Sequence, residues 1–378
     1  MPLADLTPPT APPITWADSA RQAHFTAWLE AIAQRHGIDR GSLTPASVDA
    51  SFRRYFRARC VNRKDSGNNT SNDSGNDSGN DSGSVIIMDA PPPLEDVRSF
   101  VQVAALIAHA GLHAPTVLEA DTEHGFLLLA DLGGEVYLQA LQAAAPAEAD
   151  RLMRDAMQAL IRFQQHLPAA ALPPFDEALL ARELALFPEW CVAREFGITW
   201  TAAQQATWQR CCRLLIDSAL AQPVVAVHAD WMPRNLMVAR PNPGILDFQD
   251  AVAGAITYDL ASLLRDAFIS WDETQEIDWA VRWWEDARRA GLPLGPVLGS
   301  DFGEFWRALE WMGLQRHLKV MGIFCRLKHR DGKAAYAADL PRFFNYATKV
   351  ALRYRPLGPL LALIEPLADQ PLRTGYTF

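Results

Sequence analysis

The amino-acid sequence predicts an α+β protein with two lobes, a small β-rich lobe followed by a larger, mostly helical one. Strand-like runs bounded by turn residues cluster before residue 131, whereas long helix-like segments dominate after it. The glycine-containing segment ADLGGE, at 130–135, separates the two patterns and is a candidate hinge. A chain of 378 residues is also long enough for two domains.

The first lobe is predicted to span residues 16–130 and to begin with a helix. Asp18 or Ser19 can cap the start of this helix, and Gly37 can end it. Two strands, a second helix and two further strands are predicted to follow, at 51–61, 84–90, 91–111, 116–120 and 125–130. Prolines open the second helix in this prediction, and Gly111 ends it.

Two segments have compositions that cannot build a packed core. Residues 1–15 are rich in proline and are predicted to form a disordered tail. Residues 63–83 contain a repeated DSGN motif and are predicted to form a flexible insertion in the loop of a β-hairpin. Such an insertion costs little, because loop-closure entropy rises slowly with loop length.

The second lobe, residues 131–378, is predicted to be helical with a short β insertion. Helices are expected at 136–143, 148–167, 176–196 and 201–221, and again in the C-terminal part of the chain. The apolar run PVVAVH interrupts this pattern at 223–228. It is followed by two short β segments, LMVA and GILDF, on either side of the turn PNPG.

Composition restricts the partners and the compartment. The chain has 35 basic and 44 acidic residues, and this net negative charge disfavours nucleic acid and anionic membrane surfaces as partners. Five cysteines without a CxxC pair suggest neither a disulfide framework nor a zinc site. The N-terminus lacks the basic start and the apolar run of a signal peptide, so we expect a cytoplasmic protein. We also expect a small-molecule partner and no obligate protein partner.

The segment HADWMPRNLMVARPNPGILDFQD, at 228–250, carries the candidate chemistry. Phosphoryl transfer to a hydroxyl needs a carboxylate that orients the hydroxyl and accepts its proton, and oxygen ligands for Mg²⁺. We assign Asp230 as the candidate base and Asn235 and Asp247 as candidate Mg²⁺ ligands, with His228 bracing the loop. Taken alone, each could merely cap a turn, but the ordered set between apolar strands favours a site.

This HxDxxxxN…DF arrangement resembles that of the aminoglycoside phosphotransferase and choline kinase superfamily, which implies a protein-kinase-like, two-lobed fold. The resemblance spans nearly the whole chain and is closer to one group, the anomeric N-acetylmuramate/N-acetylglucosamine kinases. The segments that carry it are DASFRRYFR, VIIMDAPPPLEDVRSFV, GFLLLADLG, RELALFPEW, HADWMPRNLMV, LDFQDAVAGAITYDLASLLRD and MGLQRHLKVMGIFCRLKHRDGK.

The resemblance implies a function and two cofactors. ATP and Mg²⁺ would be used to phosphorylate the C1 hydroxyl of N-acetylmuramate or N-acetylglucosamine, and the sugar 1-phosphate would serve peptidoglycan recycling. The first lobe would bind the nucleotide and the second would hold the catalytic loop and the sugar. A hemiacetal hydroxyl is more acidic than an ordinary alcohol, so a carboxylate base suffices, and positioning and charge neutralisation would supply most of the rate.

The sequence departs from the wider kinase pattern at the phosphate-binding groups. Lys64 is the only lysine before residue 319, and Met88 stands about where a strand lysine would be expected. There is no GxGxxG loop either, and DASFRRYFR occupies its place. The lysine that normally meets the nucleotide phosphates is therefore missing.

Arginines offer a replacement, because a guanidinium can hold phosphate oxygens in a bidentate grip. We predict that Arg53, Arg54 or Arg57 does so, with Ser51 near the turn. The alternative is that these arginines coat a solvated strand face. Glu95 either pairs with one of them or complements the dipole of the following helix.

GFLLLADLG is predicted to be the strand that meets adenine. The backbone of Leu128 and Leu129 would contact the base, so that the side chains matter little. Asp131 either contacts ribose or sugar or forms the turn before Gly133.

Three further candidate residues lie at the end of the segment 228–250 or after it. Asp259 is predicted to be structural, accepting backbone N–H groups of the catalytic loop or capping its own helix. Gln249 and Asp250 directly follow a candidate metal ligand, and either face the sugar or close the turn.

A late helix carries Gln315, Arg316 and Lys319, and residues 315 and 319 share one of its faces. A sugar with a carboxylate, such as N-acetylmuramate, would benefit from a cation there. The alternative is an ordinary solvated helix face.

Two other functions stay open from the sequence. One is a kinase of the same superfamily that acts on an aminoglycoside, choline or a related alcohol. The other is a non-catalytic nucleotide-binding scaffold, which the missing lysine suggests and which the set of Asp230, Asn235 and Asp247 argues against.

Overall fold

The computed structural model describes residues 14–48, 52–61 and 83–368. The chain forms two compact units. The first contains the residues up to Glu135 together with Met237–Gln249, and the second contains Val136–Leu236 and the residues from Asp250 onward. Ser51, Lys64 and nearly all of the predicted tail and flexible insertion lie outside the described residues.

A five-stranded antiparallel sheet forms the centre of the first unit, in the order β1-β2-β3-β5-β4. Its strands are β1 (Thr44–Val48), β2 (Arg54–Arg59), β3 (Ser84–Asp89), β4 (Val117–Asp121) and β5 (Phe126–Ala130). Four of them were predicted and β1 was missed. Its Pro45 weakens the sequence signal for a strand, but proline is tolerated here because β1 lies at the edge of the sheet.

Helix α1 (Ser19–His36) packs on one face of this sheet. Successive strand residues point to opposite faces, so Phe56 and Leu128 meet Phe25 of the helix in a shared apolar core. The helix begins as predicted at Asp18, whose side chain accepts the backbone N–H of Ala20. It ends at Gly37 in the left-handed conformation that a glycine adopts without strain.

Helix α2 (Val97–His109) begins later than the sequence suggested. The prolines at 91–93 lie before the helix in a turn, in which the backbone N–H of Leu94 donates to the carbonyl of Pro91. The side chain of Asp96 caps the helix by accepting the backbone N–H of Arg98. The prediction that prolines open this helix was therefore wrong.

The second unit is mostly helical. Its helices are α3 (Tyr137–Ala143), α4 (Pro146–His166), α5 (Glu177–Leu186), α6 (Ala202–Leu220), α7 (Tyr258–Leu264), α8 (Glu273–Arg289), α9 (Gly295–Leu298), α10 (Phe302–Asp331), α11 (Leu340–Arg353) and α12 (Leu361–Ile364). The predicted helix at 176–196 continues beyond α5 as a π-helix, Phe187–Glu195, where Pro188 has no N–H to donate to the α-helical ladder. Within the described part of the chain, no helix combines the length and apolarity that a membrane span requires.

Four short strands lie beside or within the segment 228–250. Strands β6 (Val224–Val227) and β9 (Val252–Ala255) pair in antiparallel fashion within the second unit. Strands β7 (Leu236–Met237) and β8 (Gly244–Ile245) form a second pair, and the boundary between the two units passes through β7. The sequence predicted three of these strands, and β9 was not recognised.

Helix α10 is the longest helix described and packs against α5, α6, α7, α11 and the π-helix. Gly322 allows α10 to approach the end of α5 very closely. A β-carbon at position 322 would lie 2.5 Å from the carbonyl carbon of Leu186, which is closer than real side chains come. A glycine is therefore required at this crossing.

Candidate active site

The loop between β6 and β7 is anchored by a buried carboxylate. Asp259, in the first turn of α7, accepts the backbone N–H of His228 at 2.7 Å and that of Ala229 at 3.1 Å. Burial raises the pKa of Asp259 to about 7, against the effect of these two hydrogen bonds and of the nearby Arg316. The contacts predicted for Asp259 are confirmed.

Ala229 has an uncommon backbone conformation for a residue with a side chain, with φ at 76°. Its carbonyl oxygen accepts a hydrogen bond from Nη1 of Arg316 at 2.8 Å, while its N–H is held by Asp259. Such backbone strain persists only where the surrounding structure holds it in place. Here one buried carboxyl group and one buried guanidinium hold the residue that directly precedes Asp230.

Asp230 itself is accessible. Its side chain is 42% exposed, and Nη2 of Arg316 lies 3.9 Å from its Oδ1. The guanidinium of Arg316 lies 4.7 Å from the ring centroid of Tyr258, and this contact fixes the cation beside the carboxylate. A carboxylate that is open to solvent on one side and held on the other suits a group that receives a proton from a bound hydroxyl.

His228 has the bracing contact that was predicted for it. Its Nδ1 accepts the backbone N–H of Asp230 at 3.3 Å. Its imidazole is buried and packs against the rings of Phe163 and Trp231. The side chain therefore fixes the backbone at Asp230 from inside the second unit.

Asn235 closes the other end of this loop, at the end of the short 3₁₀ helix Pro233–Asn235. Its Nδ2 donates to the backbone carbonyl of Asp230 at 3.0 Å. Because the amide nitrogen is turned toward the loop, Oδ1 is the atom of this side chain that suits a cation.

Asp247 belongs to the first unit and also has a left-handed backbone, with φ at 60°. Its Oδ1 accepts a hydrogen bond from Nε2 of Gln249 at 2.8 Å and lies 3.7 Å from Nη1 of Arg53. Gln249 thus closes the turn, while Asp250 is exposed at the start of the second unit. The Asp247 side chain is 36% exposed, so a cation can reach it.

The chemistry of these side chains fits the predicted metal. Mg²⁺ takes hard oxygen ligands and is commonly held by one or two side chains together with phosphate oxygens. Asp247 offers an accessible carboxylate, and Asn235 an amide whose nitrogen is already engaged. The donor types are those that the ion prefers.

Each of the three candidate arginines forms an ion pair with a carboxylate. Arg53 Nε donates to Glu95 Oε2 at 2.9 Å. Arg54 holds Asp89 through both Nε and Nη2 and lies over the ring of Trp16. The side chain of Arg53 is 12% exposed, whereas those of Arg54 and Arg57 are 35% and 37% exposed and remain partly solvated. The pairing predicted for Glu95 is confirmed with Arg53.

Arg57 is engaged at the end of β5. It donates to Asp131 through Nε at 2.6 Å and Nη2 at 2.9 Å, and also to the carbonyl of Gly133. Asp131 accepts the backbone N–H of Gly133 at 3.0 Å, which is the turn-forming contact predicted for it. Although burial opposes the shift, Arg57, Ser84 and this N–H hold the pKa of Asp131 below its usual value.

The expected role of Leu128 and Leu129 does not fit the sheet. Strand β5 lies between β3 and β4, and both leucines have a register partner on each neighbouring strand. Their backbone groups therefore belong to the sheet, and a base that pairs with backbone must use residues beyond Ala130. Met88, at the position expected for the strand lysine, is fully buried.

Among the candidate substrate residues of α10, Gln315 and Arg316 are buried and the side chain of Lys319 is 17% exposed, so they do not form a solvated helix face. Lys319 Nζ pairs with Glu183 Oε1 at 2.6 Å and donates to the hydroxyl of Tyr258 at 3.1 Å. Gln315 Nε2 donates to the other oxygen of Glu183 at 2.9 Å. Although burial opposes the shift, Tyr258 and Glu183 hold the pKa of Lys319 above its usual value, so the lysine remains charged.

Glu183 of α5 was missed by sequence reasoning. It lies within the segment RELALFPEW, but no local pattern links it to partners more than 130 residues away in α10. The only signal in the sequence for this cluster was that residues 315 and 319 lie on the same face of their helix. Similarly, nothing in the sequence indicated that Arg316 would hold the carbonyl of Ala229.

Comparison with known proteins defines the class of this molecule. Residues 42–294 match the model of the phosphotransferase enzyme family. The N-acetylmuramate/N-acetylglucosamine kinase of Pseudomonas putida is 49% identical over 354 residues, covering 93% of this chain and 94% of the relative. The protein of the same name from Pseudomonas aeruginosa is 47% identical over 364 residues, covering 93% of this chain and 99% of the relative.

A solved structure shows the same fold. A choline/ethanolamine kinase family protein from Mesorhizobium loti matches with a TM-score of 0.54 at 16% identity, covering 92% of this chain and 99% of that one. The fold is that of kinase-like phosphotransferases, as the sequence predicted. The chain belongs to the phosphotransferase enzyme family and, within it, to the family of the N-acetylmuramate/N-acetylglucosamine kinases. It is therefore an enzyme that transfers a phosphoryl group to an alcohol.

Proposed function

We propose that this enzyme uses ATP and Mg²⁺ to phosphorylate the C1 hydroxyl of N-acetylmuramate, N-acetylglucosamine or both. The product would be a sugar 1-phosphate that serves cell-wall recycling in the cytoplasm. The names of relatives with close to half of their residues identical support the sugar. The structural observation that carries the proposal is the accessible carboxylate of Asp230 on a loop held by the buried side chains of Asp259 and Arg316.

Asp230 acts as the general base in this proposal. It accepts the proton of the C1 hydroxyl as the oxygen attacks the terminal phosphoryl group of ATP, whose bond to the leaving ADP breaks. Arg316 and Asp259 act through the backbone of Ala229 and set the direction of the carboxylate. Fixed orientation of this kind is a large part of catalysis in phosphoryl transfer, because the protein supplies little covalent chemistry.

Asn235 and Asp247 are the proposed ligands of Mg²⁺, as the resemblance implies. When bound, the ion neutralises charge on the β- and γ-phosphate oxygens. The hydrogen bond from Asn235 Nδ2 to the carbonyl of Asp230 orients the amide oxygen. Gln249 holds the carboxylate of Asp247 in the same way.

Lys319 is the proposed contact for the sugar on α10. Its side chain is 17% exposed and is charged beside Glu183 and Tyr258, whereas Gln315 and Arg316 are almost completely buried. A partly accessible ammonium group suits the carboxylate of N-acetylmuramate. The exposed Asp250 is a second candidate for a sugar hydroxyl.

Phosphorus NMR tests the function directly. The protein is incubated with ATP, Mg²⁺ and each N-acetyl sugar, and with choline and an aminoglycoside as alternative acceptors. We expect a product whose phosphorus couples to the anomeric proton. Transfer to another hydroxyl or to another acceptor would overturn the proposal, and nucleotide binding without any transfer would favour a scaffold.

The variant Asp230→Asn tests the proposed base. We expect it to fold normally, because the side chain is accessible, and to lose about 10²–10⁴-fold in kcat. Melting curves check the fold, and Asp278→Asn on the exposed face of α8 is the matched control. Turnover of Asp230→Asn near that of the wild type would refute the assignment.

A further inference from the structure

Arg53 lies between two carboxylates of the first unit. Its Nε donates to Glu95 Oε2 at 2.9 Å, and its Nη1 lies 3.7 Å from Oδ1 of Asp247. Its side chain is only 12% exposed, so the guanidinium is held in place rather than solvated. Glu95 also accepts the backbone N–H of Phe52 at 3.3 Å, which fixes the chain that leads into β2.

The neighbouring Arg54 and Arg57 contact their carboxylates in a different way from Arg53. Arg54 presents Nε and Nη2 to Asp89, and Arg57 presents the same pair of atoms to Asp131. Arg57 thus forms a bidentate ion pair with both oxygens of Asp131, whereas both donors of Arg54 meet Oδ2 of Asp89. Asp89 and Asp131 are both buried, and Asp89 also accepts a hydrogen bond from Nε of Arg21 at 2.9 Å. Removing Arg57 would therefore break the ion pair of a buried carboxylate, and removing Arg54 would weaken the pairing of another.

The position of Arg53 matches a known requirement of kinases. In protein kinases a strand lysine pairs with a helix glutamate and contacts the nucleotide phosphates. Here Met88 is buried at the place expected for that lysine, and Glu95 lies just before α2. Arg53 reaches Glu95 from the start of β2, and its other end points toward the proposed metal ligand Asp247.

We propose that Arg53, held by Glu95, is the phosphate-binding cation of this enzyme, and that Arg54 and Arg57 are structural. This inference rests on the proposed use of ATP. A planar guanidinium can donate from Nη1 and Nη2 to phosphate oxygens while Nε stays on Glu95. Arg53 then supplies both the ion pair with Glu95 and the positive charge that a strand lysine would supply, so the lysine is dispensable.

The binding affinities of a series of nucleotides test the inference without a measurement of turnover. Adenosine, AMP, ADP and ATP are titrated calorimetrically into the full-length wild type, Arg53→Lys and Arg54→Lys, once in EDTA and once in Mg²⁺. For Arg53→Lys we expect unchanged affinity for adenosine and a loss of about 10-fold to 100-fold for ATP, also in EDTA, because charge-assisted hydrogen bonds to phosphate are removed. Arg54→Lys serves as the matched control and should bind all four nucleotides as the wild type does.

Three outcomes would overturn the inference. They are equal losses for adenosine and ATP, no loss for ATP, and a loss in Arg54→Lys as large as that in Arg53→Lys. The double variant Arg53→Lys/Glu95→Gln should bind ATP no worse than Arg53→Lys alone, since residues that act as one unit are not additive. Phosphorylation of a sugar by the wild type is measured separately, so failure of the proposed function remains distinguishable from failure of this inference.

Discussion

Asp230 and Asp247 lie in different units and are held by different means. The loop at Asp230 is anchored by the buried side chains of Asp259 and Arg316, which bind its backbone. Asp247 is held through its own carboxylate, by Gln249 in the same turn and by the nearby Arg53. One aspartate is thus positioned through its main chain and the other through its side chain.

The two aspartates also differ in which residue has the strained backbone. Near Asp230 the positive φ falls on Ala229, whose methyl side chain forms no hydrogen bond, so the buried side chains of Asp259 and Arg316 hold its backbone instead. At Asp247 the positive φ falls on the aspartate itself, a residue type that tolerates this region better. The proposed proton acceptor is therefore held by buried side chains far away in the sequence, whereas the proposed metal ligand depends on local contacts and on its ion.

The largest effect that this comparison predicts is at Asp247. Asp247→Asn keeps the shape of the side chain but removes the negative charge that would hold Mg²⁺. We expect kcat/KM to fall about 10²–10⁴-fold, an effect typical of losing one stabilising group in a transition state. Titrating Mg²⁺ in the activity assay should show a weaker apparent metal affinity. A metal affinity equal to that of the wild type would show that Asp247 is not a ligand.

A smaller effect is expected at Arg316. Arg316→Lys keeps a cation but loses the planar fork that reaches both the carbonyl of Ala229 and the carboxylate of Asp230. We expect kcat to fall about 10-fold to 100-fold with little change in KM for the sugar, which is the loss associated with one charge-assisted hydrogen bond. A rise in KM for N-acetylmuramate alone, at constant kcat, would instead assign Arg316 to the substrate carboxylate.

The smallest effect concerns the stability of the folded chain, and it arises at a buried histidine of α10, the helix that carries Arg316. Burial lowers the pKa of His317 in α10 to about 3, and its Nε2 donates to the carbonyl of Arg265. The unfolded chain binds a proton below about pH 6.5 but the folded chain does not, so stability is lost as the pH falls from about 6.5 toward 3. The contribution of this residue should drop by about 1 kcal/mol between pH 7 and 5.5.

The variant His317→Gln retains a donor for Arg265 and removes this titration. Its melting temperature should therefore fall about 1–2 °C less than that of the wild type over the same pH interval, because a chain of 378 residues has a large entropy of unfolding. The exposed His166→Gln is the control and should follow the wild type. Parallel pH profiles for the wild type and His317→Gln would show that the neutral, buried imidazole is not the cause.

Local signals in the sequence were sufficient for most elements. Helix α1 was predicted from Asp18 and Gly37, because the cap at each end is formed by residues within a few positions of it. Strand β1 was missed because Pro45 is permitted only by its place at the edge of the sheet, which is a property of the folded molecule. Strand β9 was missed for a similar reason, since VAGA forms a strand by pairing with β6.

In the candidate site, too, features that are local in sequence were predictable and contacts between distant segments were not. The order of Asp230, Asn235 and Asp247 was visible because these residues lie within one segment. The pairing of Lys319 with Glu183 was not, because it joins α10 to α5 across more than 130 residues. The three arginines looked alike in sequence, and only their carboxylate partners in the folded first unit distinguish Arg53.

The glycine at the crossing of α10 and α5 has a consequence for the proposed sugar contact. Lys319 and Glu183 each lie one helical turn before the touching residues, Gly322 and Leu186. A methyl group at position 322 would wedge the two helices apart and lengthen a salt bridge that it does not touch. Substrate selectivity in this enzyme could therefore drift through changes in helix spacing, with every residue that faces the sugar left unaltered.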